Sequence, residues 1–166
     1  MKRLAYLFLM LVSCPFIAVM LTACNEEEDC SKTERQMMWC GIYTYINEES
    51  NKVINDTIPA DSLTITAWDT DSIIVNREKK VSQLDLPLRY AEDSTVFVFE
   101  YSETEKDTLV VKHKNKSYFI SMDCGYQTQH TITDVYFMGS VLDSVYLKKN
   151  EANNNGAENI KLFYRP

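Results

Sequence analysis

Apolar and polar residues alternate with a period of two along most of the chain, and this pattern restricts the fold more than any other feature. It is plain in residues 38–45 and 63–68, and residues 95–101 place valines on one face and aromatic rings on the other. Successive side chains point to opposite faces of a β-strand, so these segments predict strands. Residues 37–166 show no convincing stripe of period 3.6, which predicts an all-β domain.

Turn signals divide the alternating segments into about nine short strands, spaced at roughly eight to twelve residues. Residues 69–71 and 102–106 predict turns, and so does Lys114-Asn115-Lys116, which would place Lys112, Lys114 and Lys116 in a solvated hairpin tip. Pro87 lacks a backbone donor, so its strand is expected at a sheet edge. Together these signals predict a two-sheet antiparallel, immunoglobulin-like β-sandwich over residues 37–166.

The chain begins like an exported protein. Lys2 and Arg3 precede an apolar run over residues 4–21, as in a secretory signal peptide. Leu21-Thr22-Ala23-Cys24 is similar to the lipobox of bacterial lipoproteins, which implies removal of residues 1–23 and acylation of Cys24. Several acyl chains anchor a protein firmly because each buried methylene contributes about 0.8 kcal/mol.

An uncleaved transmembrane anchor is one alternative to the lipobox interpretation. A second lipobox ending at Cys14 is another, but it would leave an apolar tail unburied.

Charge excludes one class of partner and indicates a place for the protein. Cleavage before Cys24 leaves 143 residues with a net charge of −9, which repels nucleic acid. Residues 24–36 are polar and predict a lipidated acidic tether. The run Asn25–Asp29 is similar to the acidic export signal of Bacteroidetes-type lipoproteins. This similarity implies the outer membrane, with the cell surface favoured over the periplasmic face.

Three cysteines remain after cleavage, in a compartment that favours disulfides. We expect Cys30 to pair with Cys124, because the bridge would pin the tether to the domain. In the entropy model, a disulfide that closes a loop of nearly a hundred residues stabilises the folded state by roughly 4 to 5 kcal/mol. Cys40 occupies an inward strand position and is expected to be a buried thiol. A bridge between Cys40 and Cys124 is the alternative.

An Asp residue followed by a hydroxyl residue recurs six times, mostly just before a predicted strand. Asp in this position caps turns through its own backbone, which is a sufficient structural reason for the pattern. The pattern is also similar to the acceptor motif of protein O-glycosylation in Bacteroidetes. It yields six candidate sites, and an unmodified intact mass of the native protein would exclude them: Thr57, Ser62, Ser72, Ser94, Thr108 and Ser144.

A set of short segments carries a resemblance to a known family. Besides the lipobox and Cys30, it comprises 61–68 with 71–73, 84–88, 93–99, 107–109, 124–126, 143–145 and 158–164. Through these segments, nearly the whole of the predicted domain resembles a family of small uncharacterised Bacteroidetes-type lipoproteins, a domain of unknown function. The resemblance implies the location and the fold, but it transfers no activity. Cys40 departs from it, since an aliphatic residue is expected there.

The sequence shows no catalytic signature. The two histidines, His113 at the predicted hairpin tip and His130 near a strand start, lack ligand spacing, so no metal or cofactor is expected. None of the four glycines brackets a serine, which excludes a nucleophile elbow. An exported hydrolase is the alternative, and it would need a pocket that joins Glu100 or Asp123 to His130.

We therefore predict a non-catalytic binding or scaffold module for an unknown protein or glycan partner, held on a membrane by its lipid anchor. A carbohydrate-binding accessory protein is a second possibility within this class. Aromatic side chains at outward strand positions can stack on sugar rings. The candidates are Trp39, Tyr43, Trp68 and Tyr126.

Overall fold

The computed structural model describes residues 35–47, 52–58, 62–70, 72–122, 124–152 and 155–165. The chain divides into two units, Met1–Lys32 and Thr33–Pro166, and the described residues belong to the second. The predicted signal peptide, Cys24 and Cys30 lie outside them. None of the described residues forms a helix with the length and apolar character needed to cross a membrane.

The described part of the chain is all-β, as the alternation predicts. Ten strands follow one another without an intervening helix in these residues: β1 (Met37–Asn47), β2 (Lys52–Asn55), β3 (Leu63–Ala67), β4 (Ile73–Glu78), β5 (Gln83–Pro87), β6 (Ser94–Glu100), β7 (Lys106–Ser121), β8 (Gly125–Met138), β9 (Leu142–Leu147) and β10 (Ile160–Tyr164).

The strands form two sheets of a β-sandwich. Sheet A has the order β2-β1-β10-β9, with β5 also paired to β1. Sheet B has the order β4-β3-β6-β7-β8. The long strand β1 pairs with β5 along its first half and with β2 along its second half. The edge position predicted for Pro87 is confirmed, because β5 pairs with β1 alone. Strand β6 lies at the centre of sheet B.

One pairing departs from the predicted antiparallel pattern. Strand β10 runs parallel to β1, from Cys40 opposite Ile160 to Thr44 opposite Tyr164. The loop after β9 reverses the chain, so β10 lies antiparallel to β9 and enters the sheet beside β1 in the same direction as β1. The two strands are far apart in sequence, and local alternation carries no information about their relative direction.

The core lies between the two sheets and uses the inward positions of the alternating strands. In sheet A these include Met38, Cys40 and Ile42, and in sheet B Phe97 and Phe99. A fully buried side chain of this size contributes about 1.5 to 3 kcal/mol. Further core residues come from most of the other strands: Leu63, Ile65, Leu84, Leu86, Leu88, Leu109, Val111, Ile132, Ile160, Leu162 and Tyr164.

The turn predicted at Lys114-Asn115-Lys116 is wrong. Strand β7 continues through these residues to Ser121, and the chain reverses before β8 begins at Gly125. Beyond Lys112, which lies opposite Ser94, β7 has no further partner in β6 and pairs only with β8. We call residues 113–132 the arm. The nine residues from His113 to Ser121 give it a length of about 30 Å.

Candidate functional site

The outer face of sheet A carries aromatic side chains from three neighbouring strands. Outer faces of antiparallel sheets are usually polar because they meet water. Here Phe163 of β10 lies opposite Tyr43 of β1, and Tyr146 of β9 lies opposite Lys161. Tyr146 is 59% exposed. We call the set of five the aromatic face: Trp39, Tyr43, Tyr45, Tyr146 and Phe163.

Tyr43 lies at the centre of this face. Its hydroxyl donates a hydrogen bond to Glu158 Oε1 at 2.7 Å. The Lys161 ammonium lies 4.5 Å from the centre of its ring, within the range of a cation–π contact. The Phe163 ring lies 5.6 Å from Tyr43 and 5.3 Å from Tyr45, centre to centre. The face is therefore an ordered cluster, in which rings and charged groups hold one another.

Gly41 allows Glu158 to reach Tyr43. A Cβ atom at Gly41 would lie 2.1 Å from Glu158 Oε1, so any larger residue would displace this carboxylate. Glu158 also forms an ion pair with Lys148 at 2.7 Å. Desolvation alone would raise the pKa of Glu158, but hydrogen bonds from Lys148 and Tyr43 and the charge of Lys161 outweigh it and lower the pKa. The face thus contains a carboxylate that stays ionised among aromatic rings.

Asn159 fixes the edge of the aromatic face beside Trp39. Its backbone N–H donates to the Trp39 carbonyl at 2.8 Å, and its side-chain oxygen accepts from the Trp39 N–H at 3.0 Å. Its amide nitrogen donates to the carbonyls of Lys149 and Glu151. An open cleft of about 490 Å³ lies in this loop, lined by residues 147–151 with Asn155 and Ala157. Asn159 therefore holds both the cleft and Trp39 in place.

A second cluster of polar side chains lies at the base of the arm. His113 Nδ1 and His130 Nδ1 each lie 2.8 Å from Asn115 Oδ1. His113 Nε2 lies 2.8 Å from the Thr95 hydroxyl. Both imidazole rings are buried and meet edge to face at 5.4 Å. We call Thr95, His113, Asn115 and His130 the base network.

The hydrogen bonds of Asn115 determine the protonation of both histidines. Its Nδ2 lies within hydrogen-bond distance of the carbonyls of Arg89, Tyr90 and Glu92, so its Oδ1 must be the acceptor. Each histidine then carries its proton on Nδ1. His113 Nε2 consequently accepts from the Thr95 hydroxyl, whose oxygen accepts from the Arg89 N–H. Two neutral imidazoles satisfy every one of these bonds.

The environment of the base network favours neutral histidines. Burial lowers the pKa of His130 to about 4, and two further effects lower it: the proximity of His113, which opposes a second charged imidazole, and the positive charge of Arg35. Burial also lowers the pKa of His113, although Asn115, Asp93 and Glu92 oppose the shift. An unfolded histidine titrates near 6.5. Between pH 4 and 6.5, the unfolded chain therefore binds protons at His130 that the folded domain excludes.

We expect acid to destabilise the domain through this network. The stability that His130 contributes is complete above pH 6.5 and is lost as the pH falls toward 4, because the folded pKa lies below the unfolded one. From pH 7 to 4.5 the loss should be about 1 to 2 kcal/mol from this residue. Urea unfolding at the two pH values measures this loss of stability.

His130→Gln is the control, because its amide can still donate to Asn115. In this variant the loss of stability between the two pH values should be smaller by this amount. Equal pH effects in the two proteins would contradict the assignment.

Exposed apolar side chains gather at the tip of the arm. Met122 is 91% exposed and Tyr126 is 75% exposed. Phe119 packs edge to face against Tyr126 at 5.4 Å, and the Tyr118 hydroxyl donates to the side-chain oxygen of Gln127. We call Tyr118, Phe119, Met122 and Tyr126 the arm tip. Exposed apolar groups that cluster in this way mark interaction surfaces.

Three lysines occupy alternate positions that lead to the arm tip. Lys112, Lys114 and Lys116 are exposed, as predicted, but they lie within a strand and not in a turn. Alternate residues of a strand share one face and lie about 7 Å apart. Asp134 lies opposite Lys112, whereas uncharged residues lie opposite the other two, Thr131 and Gln129. The lysines thus form a positive row along one face of the arm and of β7.

The structure does not bring the four predicted stacking aromatics together. Trp39 and Tyr43 share the aromatic face, where both are half-buried. Trp68 is 60% exposed in the turn after β3, and its carbonyl accepts a hydrogen bond from Arg89. Tyr126 lies at the arm tip. Only the first two can therefore contribute to one ligand surface.

The six predicted glycosylation sites differ in exposure. Ser72 is exposed, whereas five are half-buried: Thr57, Ser62, Ser94, Thr108 and Ser144. Asp107, which precedes Thr108, is buried, and its carboxylate accepts hydrogen bonds from the N–H groups of residues 140–142. Asp107 therefore has a structural role, but it holds a distant segment and not, as the turn interpretation would predict, its own turn. Glycosylation at any of the six residues stays a prediction.

The positions of Cys40 and Cys124 exclude one of the two predicted disulfide pairings. Cys40 is a free, fully buried thiol, as expected, so the alternative bridge between Cys40 and Cys124 is wrong. Burial raises the pKa of this thiol, and the charges of Asp85 and Glu158 raise it further. The predicted partner of Cys124, Cys30, lies outside the described residues. Their pairing stays a prediction.

The pocket that a hydrolase would need is not formed by the described residues. Glu100 forms an ion pair with Lys106 and lines an open cleft of about 440 Å³ at the start of β7. His130 is buried near the other end of sheet B, in the arm. Asp123 lies outside the described residues. Within the described part of the chain, no group of three or more His, Cys, Asp or Glu side chains could hold a metal ion.

Three residues that organise these sites were missed by sequence reasoning: Asp107, Asn115 and Asn159. The sequence pattern indicates Asp107 only as a local turn residue or as part of a glycosylation motif, and Asn115 only as part of a turn. Asn159 contacts Trp39, which lies 120 positions away. Such residues give no local signal, because an Asn or Asp in a turn and one in a buried network look the same in a sequence.

Comparison with known proteins places the chain in a family. The model of DUF6452, described as a family of unknown function, matches residues 62–164. This match covers most of the described domain, including the arm, β9 and β10. No curated protein and no solved structure matches the chain.

Proposed function

The chain belongs to the DUF6452 family of unknown function, and from this premise we propose that it is a lipid-anchored envelope protein whose β-sandwich is a non-catalytic binding module. The binding surface in this proposal is the aromatic face. The observation that carries it is the row of aromatic side chains across β1, β10 and β9 at positions that usually carry polar residues. The anchor rests on the lipobox-like residues 21–24 and the acidic run that follows them.

The chemistry of the aromatic face suggests a partner with both apolar and polar groups. Tyr146 offers an exposed ring, and Lys161 and Glu158 supply one positive and one negative group around Tyr43 on the same face. A sugar ring fits this description, because its C–H groups pack on aromatic faces while its hydroxyl groups take hydrogen bonds. A carbohydrate-binding accessory role is therefore the second candidate. An exported hydrolase has no comparable support.

The location and the covalent links are part of the same proposal. We place the acyl chains on Cys24 and the protein in the outer membrane, on the cell surface in preference to the periplasmic face. We also pair Cys30 with Cys124. Two observations support this pair: Cys124 is not a free thiol, and Cys40 is excluded as its partner.

Photo-crosslinking in the native membrane tests the binding surface. A photoreactive residue in place of Tyr146 should yield a discrete adduct with a protein or a glycan. The same residue in place of Tyr90, which is exposed in a loop away from the face, should not. Lys161→Glu should reduce the Tyr146 adduct by about tenfold, as expected for a contact residue within an interface.

Two results would count against the aromatic face. The first is no adduct from position 146 in cells that carry the full-length protein. The second is an adduct that forms equally from positions 146 and 90, or that survives Lys161→Glu. The mass of the adduct separates the two candidates, because a glycan leaves a sugar series on the modified peptide and a protein leaves peptides.

A further inference from the structure

We propose that the arm tip is the surface through which the domain contacts the membrane that holds its own acyl chains. This inference rests on the proposed lipid anchor at Cys24. It gives the arm a partner of defined chemistry, namely an anionic lipid surface. Three sets of observations carry it: the position at which the chain enters the domain, the apolar tip and the lysine row.

The chain enters the described domain at the base of the arm. The Arg35 guanidinium donates to the carbonyl of Leu88, in the loop that Asn115 holds. The Gln36 side-chain oxygen accepts a hydrogen bond from the backbone N–H of His130 at 3.4 Å. Eleven residues connect Cys24 to Arg35, so they span about 40 Å at most. The arm tip extends only about 20 Å beyond His130 and therefore lies within reach of the anchored end.

The proposed disulfide brings the anchor closer still. Cys124 lies in the turn of the arm, between Met122 and Tyr126. If it pairs with Cys30, five residues separate the acylated Cys24 from the disulfide, which limits the distance from Cys24 to Cys124 to about 27 Å. The opposite end of β7 is about 50 Å from Ser121, measured along the strand. The membrane would then meet the arm and not the turn at residues 102–105.

The arm tip has the chemistry of a membrane-interface element. Tyrosine and phenylalanine rings with exposed methionine at the end of a projecting hairpin can enter the headgroup region, where the rings leave water and polar tips stay hydrated. A convex tip suits a deformable lipid surface better than a preformed protein pocket. The base network supports this element, because it ties both strands of the arm to the loop at residues 89–92.

Charge selects anionic headgroups. Lys114 and Lys116 are exposed on the arm itself and Lys112 lies at its base, whereas the mature chain carries a net charge of −9. Lysines close to an anionic bilayer attract it, and the attraction falls off within a Debye length. Asp134 opposite Lys112 offsets part of this charge, and the sequence also places Asp123 between Met122 and Cys124. The row still forms a positive surface that runs along the arm toward the tip.

Tryptophan fluorescence with brominated lipids tests the proposal. The full-length lipidated protein is reconstituted in phosphatidylcholine vesicles that contain phosphatidylglycerol, with and without bromine on the acyl chains. Tyr126→Trp adds a fluorophore at the arm tip, and Glu103→Trp adds one at the opposite end of β7. Both variants retain Trp39 and Trp68, whose emission is subtracted to give the added signal. We expect bromine to reduce the added Tyr126→Trp emission at least about twofold and to leave the added Glu103→Trp emission unchanged.

Flotation of the same vesicles separates failure of this inference from failure of the proposed function. In one outcome, the protein floats with the lipid but bromine quenches the tryptophan at position 126 no more than the one at position 103. The proposal that the arm tip faces the membrane is then wrong, while the lipid anchor stands. A protein or glycan partner then explains the exposed tip. If the protein does not float, both the lipid anchor and this inference are wrong. Lys114→Glu with Lys116→Glu should reduce the quenching, and an unchanged value would contradict the role of the lysine row.

Discussion

Asn115→Ala should lower the free energy of unfolding by about 3 kcal/mol, since a buried polar group that loses its partner costs roughly 1 to 3 kcal/mol. The substitution removes the acceptor of two imidazole N–H groups at His113 and His130. It also removes the donor to the carbonyls of Arg89 and Tyr90. Urea unfolding at pH 7 measures the change. The effect is large because one amide group connects both strands of the arm to the loop before β6.

Asn76→Ala is the matched control for this substitution. Asn76 lies exposed on β4, so the same chemical change should alter the stability by less than about 0.5 kcal/mol there. Asn115→Asp provides a second comparison. Its carboxylate would still accept from both imidazoles, and it should raise the pKa of His130 through its negative charge. An Asn115→Ala protein as stable as the Asn76→Ala protein would show that water replaces the amide.

The sequence predicts those parts of the fold that depend on local alternation. The inward positions of β1, β3, β6 and β10 follow directly from the period of two, because one face of each strand must be buried. The parallel pair of β1 and β10 could not be predicted in this way. Its direction depends on where the loop after β9 returns the chain, and that is decided by contacts such as those of Asn159.

The arm shows a different limit of sequence reasoning. Lys114-Asn115-Lys116 has the composition of a turn, and a turn there would shorten β7 by several residues. The strand continues because the Asn115 side chain bonds to a distant loop and no longer competes for its own backbone. The aromatic candidates divide in a similar way. Alternation places Trp39 and Tyr43 on one outward face, but only the sheet order brings Phe163 and Tyr146 beside them.

Gly139→Ala should be more damaging than any change at the surface, with a loss of about 4 kcal/mol or more, which is exceptional for one substitution. Gly139 follows β8 with φ +150°, and a Cβ atom there would lie 1.7 Å from Asp107 Oδ1 and 2.8 Å from Asp107 Cα. The carboxylate cannot move aside freely, because it accepts hydrogen bonds from the N–H groups of Ser140, Val141 and Leu142. The chain crosses from sheet B to sheet A at this point, so the clash would disturb both sheets.

Gly125→Ala separates crowding from backbone strain. Gly125 also has a positive φ, +68°, but nothing lies within 4 Å of a Cβ atom there. This variant should lose only about 1 to 2 kcal/mol, the cost of a left-handed conformation for an alanine. The difference between the two variants in urea unfolding then measures the contact with Asp107 together with the larger backbone strain of an alanine at φ +150°. Equal losses would mean that the crossing between the sheets relaxes, and that the buried carboxylate does not hold the two sheets together at this point.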